Sequence, residues 1–391
     1  MLESFRKILR GNVRQYSMVI ALVSITVLFG VLTKGLLFSP MNVSNLIMQN
    51  SYIILLSIGM CLCLIAGNFD LSAGSVVAVS GAILGIVVVR LGGSPILAVG
   101  LAILAGALIG TLQGAIIAWI KVSPFIVTLA GQMTFRGLVM VMLNGQSLAP
   151  FPHELQYLAS GYIFSDVKAG NLNIVALLAG VLLCVVYVSG TLRTRSNRKT
   201  YGLETDPLGF VVAELLVVSA AIMLIAYSLA AYKGIPFVLI IAGLAAILYS
   251  YVANRTRIGR YLYALGGNEQ AARLSGIRIE WVKLAVFINM GVISALTGIL
   301  VTLRLNAAIP GAGTGFEMDA ISACVIGGTS TSGGSGSVPG AIIGALVVAI
   351  LVNGMSLLGM GTDAQQVIKG LVLLAAVTFD VISKSRSDAK A

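Results

Sequence analysis

Twelve apolar stretches divide this 391-residue chain, and the positive charge between them is not evenly shared. The stretches lie at roughly 16–37, 50–67, 71–91, 95–119, 124–143, 172–190, 208–231, 235–252, 282–303, 318–330, 338–359 and 365–382. A helix of about 20 apolar residues crosses the hydrocarbon core of a bilayer. Backbone groups inside lipid must bond to one another, and a helix achieves this within one segment. Threaded alternately, the stretches return five basic clusters to one side: Arg6, Lys7, Arg10 and Arg14; Lys121; Arg193, Arg195, Arg198 and Lys199; Arg255, Arg257, Arg260, Arg273, Arg278 and Lys283; Lys384, Arg386 and Lys390. These are 18 of the 25 Lys and Arg residues, and such residues stay on the cytoplasmic side, which places both termini inside. The predicted fold is all-α: a polytopic transmembrane helical bundle of about 12 membrane segments, some of them broken or half-spans.

Composition excludes a water-soluble domain, since 58% of residues are hydrophobic, 10% are charged and mean hydropathy is +1.00. The net charge of +11 follows from the positive-inside bias, with attraction to anionic lipid headgroups as a further contribution. It does not imply nucleic acid, because no basic stripe is interleaved with aromatics. The 45 glycines suit helices that approach closely in lipid, as in the steps Gly106–Gly110–Gly114 and Gly340–Gly344. Cys61, Cys63, Cys184 and Cys324 lie inside apolar runs without CxxC spacing, which points to packing rather than disulfide or metal chemistry. The basic N-terminal tail and long first span read as an uncleaved anchor.

Two segments look irregular. The fifth opens on Ser123-Pro124 and carries Arg136, and the tenth is short and ends in glycine; either could be a broken helix. The longest external connector, about 144–171, is expected to be loop with some short helix; the second, 304–317, contains the turn-forming Pro310-Gly311-Ala312-Gly313-Thr314-Gly315. One internal echo is visible: Gly106-Ala107-Leu108-Ile109-Gly110 recurs as Gly340-Ala341-Ile342-Ile343-Gly344, in helices of opposite direction, as in an inverted repeat.

The stretch from Gly259 to Ile277 is the least ordinary part of the chain. Asn268 can cap a short helix with Glu269 in its first turn, and Gly276 can end it in a left-handed conformation. Ala271, Ala272 and Ser275 keep its surface shallow while Arg273 projects. Such an element suits docking into a partner's groove, and an ordinary interhelical loop is the alternative. Asp70, beside Asn68, Ser72 and Ser75, can cap the third span, pair with a cation such as Arg136, or accept bonds from the hydroxyls of a ligand. Glu317 and Asp319 suit the N-terminus of the tenth segment. Gln113, Thr128, Gln132, Thr134, Asn289 and Asn353 read as interhelical hydrogen-bonding groups or path lining, and Lys369 as a lysine that snorkels to the interface.

Four separated motifs occur in order: Asn68-Phe69-Asp70-Leu71-Ser72-Ala73-Gly74-Ser75, Ser123 through Gly131, Gly259 through Ile277, and Asp319-Ala320-Ile321 through Gly327-Gly328-Thr329-Ser330. Together they resemble the ribose/xylose-type sugar permeases of bacterial ABC importers over nearly the whole chain. An additional pair of spans around 172–231 matches the long form, typified by xylose and multiple-sugar permeases. The resemblance implies one transmembrane permease domain over 1–391, non-enzymatic and without a cofactor, in the cell inner membrane. It implies a second permease copy, an ATPase subunit with two nucleotide-binding cassettes, which binds the ATP, and an external sugar-binding protein. Gly267, Asn268, Glu269, Ala271, Ala272, Arg273, Ser275 and Gly276 then correspond to the ATPase-coupling element. Asn68, Asp70, Ser72, Ser75, Thr128, Gln132 and Asp319 are the candidates for path or structural polar positions. The cargo is a pentose or hexose such as xylose, arabinose or galactose.

The residues agree that nucleotide chemistry lies elsewhere, because no G-x-x-x-x-G-K-[ST] occurs and the glycine-rich run 327–336 has no lysine. The alternative is an ion-coupled secondary sugar transporter, favoured by the internal echo and by Asp70 and Asp380. A membrane-embedded enzyme fits poorly. The lone His153, in the external connector, makes neither a zinc site nor a catalytic triad.

Overall fold

The computed structural model describes residues 13–203, 205 and 207–388. Arg6, Lys7, Arg10 and Lys390 of the basic clusters lie outside the described residues. Twelve helices occupy the twelve apolar stretches: α1 (Val13–Leu32), α2 (Pro40–Ile65), α3 (Ala73–Arg90), α4 (Pro95–Ile120), α5 (Pro124–Leu143), α7 (Ile174–Thr200), α8 (Leu208–Ala230), α9 (Phe237–Arg255), α12 (Ile279–Leu305), α13 (Phe316–Ile326), α14 (Val338–Leu357) and α15 (Thr362–Asp388). Short helices α6 (His153–Ser160), α10 (Arg257–Gly267) and α11 (Glu269–Leu274) lie in the connectors. Nine of the described helices are long and apolar enough to cross a membrane. The chain is a multi-pass membrane protein.

Several boundaries differ from the hydropathy reading, each for a local reason. Helix α2 begins ten residues earlier than expected, at Pro40, because its polar residues are paired inside the bundle. Asn42 and Asn353 exchange amide hydrogen bonds of 2.9 and 3.1 Å, and Asn42 also donates to Leu37 O. Helix α5 is an unbroken 20-residue span, contrary to the suspicion raised by its proline. Pro124 sits in the first turn, where its missing N–H leaves no helical bond unmade. Helix α7 continues through Arg193, Arg195, Arg198 and Lys199, so that basic connector is largely helical. The tenth segment, suspected of being a half-span or broken helix, is a helix of only 11 residues that follows the non-helical 306–315.

Two runs of four helices have the same order. In α2, α3, α4 and α5 a non-helical segment, 66–72, separates the first two helices; in α12, α13, α14 and α15 the break is 306–315. The runs interlock: α12 packs on α3 and α4, and α2 packs on α13 and α14. The sequence echo falls on the third helix of each run. Its glycines face different neighbours, however. Gly106 and Gly291 of α12 oppose each other so closely that a Cβ on either would overlap backbone of the other, and Gly110 meets the Phe287 carbonyl. Gly344 instead lies against the Ala323 carbonyl of α13, and Gly340 against Gly327. Glycine permits both approaches, which matter because helices in lipid associate through close packing.

The buried core is formed chiefly by α2, α3, α12, α13 and α14, with Phe287, Leu56, Met60 and Met290 fully enclosed. Helices α7 and α8 pack on each other at the periphery and are largely exposed. Several connectors are tied together: strand β1 (Tyr162–Ile163) pairs antiparallel with β4 (Ile235–Pro236), and Leu148 bridges to Ala308. Between them β2 (Lys168–Ala169) and β3 (Leu172–Asn173) form a small hairpin, and the α6 helix is the short helix expected there.

Candidate functional site

The two helix breaks meet inside the bundle. Gly74, in the first turn of α3, lies against the Gly313 carbonyl and the Glu317 carboxylate, and Gly313 in turn lies against the Gly74 carbonyl. A side chain at either position would separate the segments; Gly313 also has φ +71°, a conformation glycine adopts without strain. The N-termini of α3 and α13, the positive ends of their helix dipoles, are thereby brought together.

Acidic and amide groups gather there. Asp70 is buried, and its Oδ1 accepts from Ser72 N at 2.9 Å and Ser72 Oγ at 2.6 Å, fixing the turn that enters α3. Ser72 Oγ also lies 3.1 Å from Gln113 Oε1 on α4. Ser75 Oγ donates to Gln132 O on α5 at 2.9 Å, and Gln132 Nε2 donates to Glu317 Oε1 at 2.8 Å. Among the described residues Glu317 Oε2 has no partner, and neither has Gln113 Nε2. Asn68 donates only to Ala66 O, at 3.0 Å, and Thr128 to Pro124 O of its own helix, at 2.9 Å.

Two cations are placed differently from the sequence expectation. Arg136 does not pair with Asp70; its Nη1 donates to Ala312 O at 2.6 Å and Pro310 O at 3.3 Å, so it holds the re-entrant 306–315 segment. Lys369 does not snorkel. Its Nζ lies 2.8 and 3.2 Å from the Asp319 carboxylate, which also accepts from Tyr52 Oη at 2.9 Å. The Tyr52 ring stacks on Phe316 with centroids 3.7 Å apart. The contact spans 50 residues between α13 and α15, and no local pattern announces it; two opposite charges within apolar runs were its only signal. Tyr52 carried none.

The stretch from Gly259 to Ile277 is a second constellation. Asn268 Oδ1 accepts from Ala271 N at 3.0 Å, capping α11, and Gly276 has φ +83° at its end. Glu269 is gripped by Lys283 Nζ at 3.0 and 2.9 Å, and Arg273 reaches Glu280 at 2.8 Å. Both pairs join α11 to the start of α12. Leu274 is 90% exposed, and Ala271, Ser275 and Gly276 are also exposed, while Ala272 is buried beneath them. The preceding helix α10 enters a junction that sequence reading missed. Gly334 N donates to Ile65 O at 2.9 Å, and a Cβ on Gly266 would overlap that carbonyl and crowd Gly334 N. Tyr263 Oη donates to Gly336 O at 2.8 Å. The coupling candidate thus touches the end of α2 and the loop after α13, close to both broken helices.

Comparisons with known proteins agree with this arrangement. The family described as branched-chain amino acid transport system permease component matches residues 42–377. The chain is 38% identical to the xylose transport system permease protein of Haemophilus influenzae, over 96% of this chain and 98% of that one. It is 36% identical to the corresponding xylose protein of Escherichia coli, over 96% and 94%. The ribose import permease protein of Escherichia coli is 32% identical, over 88% and 86%. No solved structure matches the chain. The resemblance read from the four motifs is borne out: this chain belongs to the branched-chain amino acid transport system permease family and is a permease component rather than an enzyme.

Proposed function

We propose that this chain is the inner-membrane permease subunit of an ABC importer and translocates a monosaccharide, a pentose or hexose such as xylose, arabinose or galactose. The observation that carries the reading is near full-length similarity to xylose permeases, which includes the peripheral α7–α8 pair. Two copies of the chain form the path, an external binding protein delivers the sugar, and an ATPase subunit with two cassettes binds and hydrolyses ATP inside. The chain itself needs no cofactor.

The geometry suggests how force reaches the path. The exposed face of α11 docks on the ATPase. Closure of the ATPase moves α11, and the Glu269–Lys283 and Arg273–Glu280 pairs carry that movement into α12. Helix α12 is continuous over 27 residues, and its Gly298 lies directly against Val77 of α3, near the junction of the broken helices. Moving α12 therefore shifts the polar region between its two packings, exchanging outward- and inward-open states. Asn68, Asp70, Ser72, Ser75 and Asp319 are engaged within the protein, which favours a scaffolding role for them and leaves sugar affinity to the binding protein.

The test is ATPase activity of the reconstituted complex with and without sugar-loaded binding protein. Stimulation is expected with the native chain and lost in Glu269→Ala/Arg273→Ala, with the variant still inserted. Normal stimulation in that variant contradicts the docking role of α11.

A further inference from the structure

A cavity of about 570 Å³ opens beside α11, between α2, α9, α10 and α12. Its walls are mainly apolar, including Leu248, Val252, Ile258, Tyr261, Trp281 and Val286, and its size falls within the roughly 300–1,000 Å³ range of ligand pockets. Gly276 and Arg278 line it on the cytoplasmic side, and the hydrogen bond from Tyr249 to Asn289 lies deeper along α12.

The charges around this cavity fall into two groups. Glu269, Arg273, Glu280 and Lys283 satisfy one another. Arg278 lines the cavity, and Arg255, Arg257 and Arg260 lie on the adjoining ends of α9 and α10; all four are exposed, and none of their side chains has a hydrogen bond or ion pair among the described residues. Arg257 and Arg260 belong to the amphipathic α10, which buries Leu262 and Leu265 and turns Ile258 and Tyr261 to the cavity. Trp281 and Trp119 meet edge to face with centroids 5.5 Å apart, and both are about half exposed, as aromatic side chains are at a membrane–water boundary.

We propose that this cavity binds one anionic phospholipid of the cytoplasmic leaflet, with acyl chain against the apolar wall and phosphate on Arg278, in the field of the nearby α10 arginines. An apolar slot beneath unpaired cations at the membrane boundary matches both halves of such a molecule. A free phosphate has no use for the apolar wall, and a neutral lipid none for the arginines. Gly276 and Arg278 directly follow α11, so the lipid steadies the element that the ATPase grips. The inference goes beyond the proposed transport function and holds or fails independently of it.

Trp281 lines the cavity and the chain's other tryptophan, Trp119, packs on its edge, so their fluorescence reports the occupant without a label. The full chain is placed in nanodiscs containing increasing fractions of brominated phosphatidylglycerol or brominated phosphatidylcholine. Quenching is expected at a lower fraction of the anionic lipid. Arg278→Gln is expected to cut that preference about fivefold, the weight of one arginine at an anionic surface. Ala285→Phe, which narrows the cavity, is expected to weaken quenching by both lipids. Asn289→Leu is expected to preserve the preference, because hydrocarbon does not need the amide. Equal quenching by the two lipids overturns the proposal, as does a preference that survives combined Arg257, Arg260 and Arg278→Gln. Loss of the preference in Asn289→Leu overturns it in favour of a polar solute.

Discussion

Lys369 shows how much a single long-range pair can hold. Asp319 is almost fully enclosed and Lys369 about one-quarter exposed, so removing the lysine leaves an uncompensated carboxylate among helices α2, α13 and α15. Lys369→Met is expected to cost about 2 kcal/mol, less than a fully buried pair because solvent reaches the ammonium. Adding Asp319→Asn is expected to recover most of the loss, since the amide oxygen still accepts from Tyr52. Thermal unfolding of the single and double variants checks both; a double variant no better than the single one contradicts the pairing. The sequence located both charges within apolar runs but not their meeting, because a lysine near a helix end has a local outlet to the interface. Of the three alternatives for Asp70 the cap with Ser72 is realised and the pair with Arg136 is not: the partners of Arg136 are the backbone carbonyls of Pro310 and Ala312, which no residue type reveals.

Elements were legible where the signal was local. The cap of α11 by Asn268 and its end at Gly276 follow from residue type and spacing, and the short glycine-ended tenth segment is a helix of only 11 residues. The beginning of α2 was hidden because Asn42 finds Asn353 across the bundle, which hydropathy cannot see. The junction at Gly266 was equally hidden, since only three-dimensional packing sets Ile65, Gly266 and Gly334 together. Gly266→Ala is expected to lose about 2 kcal/mol through overpacking and to impair ATPase stimulation. Unchanged melting and stimulation would show that the junction yields without consequence. Glu269→Ala and Arg273→Ala should behave differently: both pairs are substantially exposed, so each contributes no more than about 1 kcal/mol to stability. Their expected effect is on coupling, with melting nearly unchanged.

At the scale of the whole molecule, the excursion through α7 and α8 leaves and returns at neighbouring points. Ile163 and Ile235 are paired across β1 and β4, and Phe237 N donates to Gly161 O at 2.9 Å. Replacing 164–234 by a two-residue Asn-Gly turn is therefore expected to preserve the remaining bundle, its alternating threading and ATP-driven transport. Failure of that variant to insert would assign the pair a structural role. The helices were readable because lipid confines the backbone to segments that satisfy their own hydrogen bonds. The interlocking of two four-helix runs was visible only as a faint echo between α4 and α14, whose glycines face different helices. The account rests on import powered by a partner ATPase, and sugar uptake by proteoliposomes tests it most directly. The chain is reconstituted with its ATPase and binding protein, each added or omitted, and supplied with ATP or an ion gradient. Uptake of xylose, arabinose or galactose only when ATP and both partners are present is the expected result; uptake by the chain alone under an ion gradient would contradict it.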